Sequence, residues 1–405
     1  MSPRTAAWPG RLGIGRPALN KVLFVSYGPF DCNSAGHIAG FAGELTGRGF
    51  AVGVCGRDRI YNVHAFGPAP FEFFTVQDLA SDPRGVMGFD GRFEPERTAM
   101  VCWTPRKLAR QAVAKVARLH GVPYIVHLED NEDHLSRLRF AAGRMGEEAE
   151  AKDRAERTAL LYGAMGASVI EQRLAETLPP DLPSVLLEPG VDMAQFEATL
   201  GPHRRATILR LAGASPEATV IVYPGNIHRV NVADMAGLYG AVRLLRERGR
   251  EVVLIKTGKD DEQVSAAAGL GAQSPGVLTL GQVERSMLVD LLRCADVFVQ
   301  PGAPGPFNDY RLPSKLPEFM ATGRPMILPK TNVGLRLRHG VDALLLERGT
   351  AEEIIGLVEA VMADPALALR LGRNGQAFAR RTYRWDRQGR KLADFLVGLH
   401  RSRRI

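Results

Sequence analysis

The sequence predicts an α/β protein made of two tandem Rossmann-like, doubly wound domains that face a central cleft. Short apolar strands alternate with helices in the N-terminal half, and the same alternation restarts near residue 218. The length of 405 residues also exceeds what one ordinary core accommodates and suggests two domains of about 200 residues each. With 45% hydrophobic and 24% charged residues, the composition supplies a core of ordinary size.

In the N-terminal half, an apolar strand opens the pattern and runs into a loop rich in Gly, Pro, Asn and Ser. The helix after that loop is predicted from apolar residues that recur with helical spacing, and two glycines lie where it should stop. The expected elements are strand 21–27, loop 28–36, helix 37–46, strand 51–55, strand 100–103, helix 107–120 and strand 123–128.

The C-terminal half repeats the pattern of buried strands and covering helices that is typical of a parallel sheet. The expected elements are strand 219–223, helix 232–246, strands 252–257 and 277–280, helix 286–293, strand 297–300, helix 314–321, strands 325–328 and 343–346, and helix 351–363. The pattern breaks at 193–205, where we expect the hinge. Parallel sheets of this kind bind ligands at the carboxyl ends of their strands, so a cleft should lie between the domains.

Charge and cysteine usage limit the class of protein. The net charge of +8 suits an anionic partner such as a nucleotide or an acidic lipid surface, although basic residues spread over solvated faces would give the same total. No aromatic-and-basic module predicts nucleic-acid binding. The sequence shows no apolar run typical of a signal peptide or a membrane span, and its four cysteines form no CxxC pair. We therefore expect a cytoplasmic protein without metal or cofactor.

The most informative segment is 297–329, VFVQPGAPGPFNDYRLPSKLPEFMATGRPMILP. A long loop rich in Pro and Gly separates its strand from its helix, and such loops are usually functional. We expect Ser314 to be the N-cap, with Pro317 in the first turn. The backbone N–H groups of Lys315 and Leu316 would then point toward the cleft. Together with the lysine charge they would bind an anion, for which a diphosphate is the obvious candidate.

Glu318 lies four residues after Ser314, so both face the same side of the predicted helix. A carboxylate at that depth can accept hydrogen bonds from a ribose diol. It can equally be an acid of the first turn that the helix dipole stabilises by about 0.3–1 kcal/mol. The local residues leave both interpretations open.

The same segment resembles the donor-binding motif of the family 4 retaining glycosyltransferases (glycosyl transferases group 1), which have the GT-B fold. PSKLPEFMATGRPMILP is similar to that family's pattern of Pro-Ser-Lys-Leu, one residue, Glu, an aromatic and Ala-x-Gly-x-Pro. Further landmarks occur in the family's order along most of the chain: the loop 33–37, then 188–192 (EPGVD), 223–226 (YPGN), 280–283 (LGQV) and 295–300 (ADVFVQ).

This resemblance implies that Glu318 binds the donor ribose, that Ser314 and Lys315 approach the diphosphate, and that backbone near Gln282 and Val283 meets the base. It also implies that residues 21–195 form the acceptor domain, that 206–378 form the nucleotide-sugar donor domain, and that 379–405 cross back to the first domain after an N-terminal tail of 1–20. The expected donor-binding residues are Gly36, Gly225, Asn226, Arg229, Lys256, Gln282, Val283, Asp309, Ser314, Lys315, Leu316 and Glu318.

The sequence departs from the family pattern in two places. Many members have a second glutamate that touches the donor sugar, where this chain has Tyr310, with Asp309 just upstream. Members also often carry an Arg and a Lys early in the second domain, where this chain has Asn226 and Asn231. The missing charge is expected from basic residues nearby, namely Arg229, Lys256 or Lys259, although the two lysines can also be ordinary surface residues.

An acidic run at 129–133 follows the predicted strand 123–128 and should open at the cleft. His127 or Asp130 could orient the acceptor hydroxyl there. The run could instead cap a helix beginning near His134. The expected catalytic residues are Glu318, His127 and Asp130.

The predicted function is retaining transfer of a sugar from a nucleotide-sugar donor to a glycan, lipid-linked or other acceptor, in surface polysaccharide or glycoconjugate synthesis. Two alternatives remain: a GT-B nucleotide-sugar epimerase, and a sugar-nucleotide-binding protein in which Tyr310 marks lost catalysis. A Rossmann dehydrogenase is disfavoured because no GxGxxG with a following acid occurs after the first strand. The basic stretch 105–120 is either a contact for the inner face of an anionic membrane or an ordinary sheet-covering helix.

Overall fold

The computed structural model describes residues 18–30, 32–58, 71–271 and 274–402. Of the predicted tail 1–20, only 18–20 fall within these ranges. In the N-terminal domain the described strands form one parallel sheet in the order β3-β2-β1-β4-β5-β6-β7. These strands are β1 Lys21–Ser26, β2 Ala51–Gly56, β3 Glu72–Thr75, β4 Thr98–Trp103, β5 Tyr124–Leu128, β6 Gly166–Val169 and β7 Ser184–Leu186.

Helices cover both faces of this sheet, which explains why β1, β4 and β5 are mostly apolar and are buried along their whole length. The helices of this domain are α1 Asn33–Gly47, α2 Val76–Ser81, α3 Pro83–Met87, α4 Lys107–His120, α5 Glu132–Ala141 and α6 Glu147–Gly163. The elements β3, α2, α3, α6, β6 and β7 were not predicted from the sequence. The predicted helix at 37–46 begins earlier, at Asn33, within the segment expected to be a loop.

The C-terminal domain contains two parallel sheets of three strands each, in the orders β10-β9-β8 and β11-β12-β13. A parallel bridge between Ile221 and Val297 joins them. The strands are β8 Thr219–Pro224, β9 Val252–Thr257, β10 Val277–Thr279, β11 Phe298–Val299, β12 Met326–Pro329 and β13 Leu344–Leu346. The helices that begin in this half are α7 Pro202–Leu211, α8 Val232–Glu247, α9 Glu262–Ala267, α10 Arg285–Cys294, α11 Leu316–Ala321, α12 Ala351–Ala363, α13 Pro365–Thr382 and α14 Trp385–Ser402.

The start of α11 differs from the prediction. The helix begins at Leu316 with Lys315 as its N-cap, and Ser314 belongs to the preceding turn. The first helical hydrogen bond runs from the Phe319 N–H to the carbonyl of the N-cap Lys315 at 3.0 Å, and Pro317 fits the first turn because it needs no N–H there. The Leu316 N–H donates to the Pro313 carbonyl at 3.0 Å, so it is already occupied.

The last helix returns the chain to the N-terminal domain. At its start, the Trp385 ring meets the Phe41 ring of α1 edge-on, with 5.4 Å between centroids. A Cβ atom at Gly40 would lie 2.2 Å from the same indole, so glycine is required for this close approach. Trp385 also lines the space between the two domains.

Candidate active site in the interdomain cleft

A cavity of about 740 Å³ lies between the two domains. Its N-terminal wall is formed by the start of α1, and its C-terminal wall by the loops after β8, β9 and β10 together with the start of α11. These loops all follow parallel strands, whose carboxyl ends share one edge of each sheet. Eight of the twelve expected donor-binding residues line this cavity: Gly36, Gly225, Asn226, Gln282, Val283, Ser314, Lys315 and Glu318.

Lys315 supplies a cation whose charge depends on the surroundings. Its Nζ lies 3.4 Å from the Tyr223 hydroxyl and 4.6 Å from the centre of the Tyr223 ring. Burial and the nearby Arg311 charge lower the pKa of Lys315 to about 7. Because Lys315 borders the cavity, a polyanion bound there would restore its full charge.

Glu318 faces the cavity but is already paired. Its Oε1 lies 2.5 Å from Nη1 of Arg285, another residue of the cavity wall. Arg285 also donates to Oε1 of Gln195 at 2.7 Å and 3.2 Å, which ties the pair to the segment between the domains. The ion pair holds Glu318 in a fixed orientation, and any hydroxyl that binds Glu318 shares it with Arg285.

Two loops of the C-terminal wall touch through a glycine. Gly258 has φ of 106°, and a Cβ atom there would lie 2.8 Å from the backbone of Gly225. The Asn226 side chain accepts a 2.8 Å hydrogen bond from the Lys259 N–H, which fixes the loop after β9 against the loop after β8. This contact brings Lys259 to the cavity.

The prediction that Lys256 meets the donor is wrong. Its side chain is fully buried, and its Nζ lies 2.6 Å from the Asp260 carboxylate. Asp260 also accepts from the Ile227 N–H at 2.7 Å, so the pair holds the two loops together. The exposed lysine that lines the cavity is Lys259, three residues further on.

Three other expected donor-binding residues lie outside the cavity. Arg229 is exposed in a turn before α8. Asp309 is held by Arg173 at 2.9 Å and by the Thr331 hydroxyl, so its carboxylate serves a contact between the domains. The side chain of Leu316 is buried in the core, and its N–H already has a partner.

Neither predicted catalytic group of the acidic run reaches the cavity. His127 is fully buried, stacked on Trp103 at 3.7 Å, with Nδ1 2.9 Å from Ser168 Oγ. Burial lowers its pKa to about 3, so it is neutral. Asp130 pairs with Arg106 at 3.2 Å and lines a separate pocket. Burial raises the pKa of Asp130 to about 6 despite the Arg106 charge.

The acidic run 129–133 does include the N-cap of a helix, as the capping interpretation expects. The capping residue is an asparagine and not an acid. Asn131 is the N-cap of α5, and its side chain accepts a 3.0 Å hydrogen bond from the His134 N–H.

A cluster of three polar side chains on the N-terminal wall was not predicted from the sequence. Nδ1 of His37 lies 2.9 Å from Oε1 of Glu129, and the Ser34 hydroxyl donates to the other carboxylate oxygen. Burial alone would raise the pKa of Glu129, but the hydrogen bonds and charge of its partners outweigh it and lower the pKa to about 2. The available signal was positional: Ser34 and His37 follow β1, and Glu129 follows β5, at one edge of the same sheet.

The basic helix α4 mostly covers the sheet. Ala109, Val113 and Val116 are buried, and Arg110 is buried between Asp153 and Glu156 at 2.9 Å and 2.7 Å. By contrast, Leu138 and Phe140 at the end of α5 are exposed beside Arg137.

Across the described ranges, no helix is both long and apolar enough to span a bilayer. In the same part of the chain, no three His, Cys, Asp or Glu side chains group together as metal ligands would.

Residues 218–364 match the model of a family described as "Glycosyl transferases group 1", which covers most of the C-terminal domain and less than half of the chain. No curated protein sequence matches the chain. Among solved structures, HepE (Alr3699) of Anabaena in complex with UDP and glucose superposes with a TM-score of 0.66 at 17% identity, covering 94% of this chain and 100% of that one. The chain has the GT-B fold. The predicted fold class is thereby confirmed.

Two further structures have this fold at similarly low identity. Sucrose-phosphate synthase from Thermosynechococcus elongatus has a TM-score of 0.66 at 13% identity and covers 94% of this chain and 99% of its own. WaaG, a glycosyltransferase involved in lipopolysaccharide biosynthesis, has a TM-score of 0.60 at 14% identity and covers 93% of this chain and 100% of its own. At these identities the likeness establishes the architecture alone.

Proposed function

We propose that this protein is a retaining glycosyltransferase that binds a nucleotide-sugar donor on the C-terminal wall of the interdomain cavity. The observation that carries the proposal is the convergence of Lys315, Lys259 and Glu318 on one cavity at the carboxyl edge of the C-terminal sheets. Two cations suit a diphosphate, and a carboxylate suits a ribose diol. The match of residues 218–364 to the glycosyltransferase family supports the same assignment.

The donor is proposed to lie with its diphosphate against Ser314 and Lys315 and its ribose against Glu318, within reach of backbone at Gln282 and Val283 for the base. In this arrangement Lys259 supplies a second positive charge for the phosphates. The contact with Arg285 orients Glu318, so that ribose hydroxyls can donate to a carboxylate that is already in place. Charge neutralisation by lysines requires no metal ion.

We propose a uridine nucleotide as the donor class to test first. HepE is described in complexes with UDP and with UDP-glucose, and a further neighbour, MnaA of S. aureus, with UDP. Residues 21–195 then bind the acceptor, residues 206–378 bind the donor, and residues 379–405 link the two. The acceptor is proposed to be a glycan or a lipid-linked saccharide of a surface polysaccharide or glycoconjugate.

Contact with an anionic membrane is proposed at the end of α5 rather than along α4. Leu138 is 39% and Phe140 46% exposed, and they lie among Arg137, Arg139 and Arg144. Apolar side chains flanked by cations are the combination that enters the interface of an anionic bilayer. A lipid-linked acceptor would then be presented on the domain proposed to bind it.

The test of the function begins with thermal shift and calorimetry against UDP, GDP, ADP and CMP, followed by turnover of UDP-glucose. A nucleotide at 100 times its dissociation constant adds about 2.7 kcal/mol to the unfolding free energy. Release of UDP and free or transferred sugar, with retained anomeric configuration by NMR, is the expected result. Binding without turnover would indicate a binding protein instead, and an epimerised sugar nucleotide would indicate an epimerase. Absence of any nucleotide binding would refute the proposal.

A further inference from the structure

The N-terminal wall of the cavity carries a histidine whose orientation is fixed by a carboxylate. Ser34 and His37 lie three residues apart in the first turns of α1 and therefore share a face of the helix. Glu129 follows β5, which lies two strands from β1 in the sheet, so its side chain reaches the same edge. The His37 and Glu129 side chains are each only 12% exposed.

Both oxygens of the Glu129 carboxylate are engaged, one by His37 Nδ1 at 2.9 Å and the other by the Ser34 hydroxyl. The low pKa of Glu129 keeps it ionised, and an ionised carboxylate can only accept hydrogen bonds. Nδ1 of His37 must therefore carry the proton in this contact. In a neutral imidazole that arrangement leaves the lone pair on Nε2.

Nε2 of His37 is the free end of this arrangement. His37 lines the cavity that also contains Lys315 and Glu318. Within the described ranges, Nε2 has no hydrogen-bond partner. It is also not buried, since it is absent from the buried polar atoms that lack a partner. A basic nitrogen fixed through its other ring atom and open to a reaction cavity is the arrangement that general-base catalysis requires.

Apart from Lys315, the other described side chains on this cavity that could take a proton are otherwise engaged. Glu318 is paired with Arg285. The Asp192 carboxylate accepts hydrogen bonds from the Ala194 N–H at 3.1 Å and from the Gln195 side chain at 3.0 Å.

The Cys32 thiol is the remaining group of this kind. Burial raises the pKa of Cys32, which keeps the thiol protonated. Lys315, whose pKa is lowered to about 7 in the free protein, is held charged by the diphosphate of a bound donor. Among the other described cavity groups, His37 alone has a basic atom directed away from its partner.

We propose that His37 Nε2 receives the proton of the acceptor hydroxyl during sugar transfer, with Glu129 and Ser34 as positioning residues. The acceptor oxygen forms a bond to C1 of the donor sugar, the bond from C1 to the diphosphate oxygen breaks, and its electron pair leaves with the nucleoside diphosphate. The hydroxyl proton passes to Nε2. The inference rests on the proposed donor function but not on the anomeric configuration of the product.

The experiment uses water as the acceptor, so that no natural acceptor is needed. UDP release from UDP-glucose, or from whichever UDP-sugar the wild-type protein hydrolyses, is measured for wild type, His37→Ala, Glu129→Gln and the control His203→Ala on exposed α7. Each reaction is repeated with sodium azide, a nucleophile that has no proton to lose. Calorimetry with UDP reports donor binding separately.

We expect His37→Ala to lose about 10²- to 10⁴-fold in the reaction with water, the range that a general base contributes. Azide should restore UDP release and yield glycosyl azide, while UDP affinity stays within about twofold of wild type, as single-site additivity would allow. Glu129→Gln should lose less and be restored by azide in the same way. His203→Ala should match wild type throughout.

Two results would overturn the inference while leaving the glycosyltransferase assignment intact. One is unchanged hydrolysis by His37→Ala. The other is a loss that azide does not restore, which would mean that His37 has a structural or donor-binding role and that the leaving diphosphate takes the proton. If the wild-type protein binds none of the four nucleotides, or binds one but hydrolyses none of its sugar nucleotides, the proposed function itself fails and the inference fails with it.

Discussion

The pH dependence of nucleotide affinity tests the role of Lys315 in depth. The pKa of Lys315 is lowered to about 7 in the free protein, first by burial and then by the charge of Arg311. A bound diphosphate favours the charged ammonium and raises that pKa toward its ordinary value. Binding therefore takes up a proton wherever the free lysine is partly neutral, and affinity must fall as pH rises through about 7.

The magnitude follows from the fraction of charged lysine. At pH 7 about half of the free protein carries the Lys315 ammonium, and at pH 9 about one molecule in a hundred does, so the UDP affinity should fall about 50-fold. This window lies above the second ionisation of a phosphate, near pH 6, so the ligand charge is constant. The neighbouring Tyr223 stays neutral across the window, because burial raises the pKa of its phenol.

Isothermal titration calorimetry of UDP at pH 7, 8 and 9, in buffers with different ionisation enthalpies, measures both the affinity and the proton uptake. Lys315→Arg supplies the matched control, because guanidinium stays charged throughout. Its affinity should change little with pH. A flat pH profile for the wild-type protein, or equal slopes for wild type and Lys315→Arg, would refute the assignment of Lys315 to the diphosphate.

Three further outcomes are expected. EDTA should leave UDP-sugar turnover within about twofold of its untreated rate, because lysines neutralise the diphosphate; abolished turnover that manganese restores would contradict this. Leu138→Ala combined with Phe140→Ala should reduce co-sedimentation with phosphatidylglycerol vesicles. The control Leu211→Ala, which changes an exposed leucine of the C-terminal domain, should not reduce it. Equal binding by the two variants would refute the α5 contact. Gly258→Ala should lower the melting temperature and weaken UDP binding, because it combines a positive φ with a backbone clash against Gly225; wild-type values for both would show that the two loops tolerate separation.

The sequence predicts the elements that have strong periodicity and clear ends. The helices Lys107–His120 and Ala351–Ala363 and the strand Val252–Thr257 occur at the predicted residues. In α4, a buried stripe of Ala and Val ends at Gly121, which has φ of 68° and terminates the helix. The four-residue strand Glu72–Thr75 has too few residues for its alternation to stand out.

The sequence predicts the part of the site whose residues belong to one linear motif. Ser314, Lys315 and Glu318 lie close together in sequence, so one segment is enough to place them on the same cavity. His37 and Glu129 meet only because β1 and β5 lie near each other in the sheet. Neither sequence segment indicates this order of the strands. The side chains of Lys256 and His127 are buried because β9 and β5 are covered on both faces, so that every residue of these strands is buried. Nothing in the local sequence says which side a helix or loop will cover.

The central claim, that the cavity of about 740 Å³ binds the donor through Glu318, is tested most directly by calorimetric titration of UDP into Glu318→Gln. Glu352→Gln is the control, because Glu352 is also a glutamate of a first helical turn but is exposed outside the cavity. Removing a charged hydrogen-bond acceptor should cost about 1.5–3 kcal/mol, a loss of about 10- to 150-fold in UDP affinity, while the control retains wild-type affinity. Equal UDP affinities for wild type, Glu318→Gln and Glu352→Gln would contradict the claim.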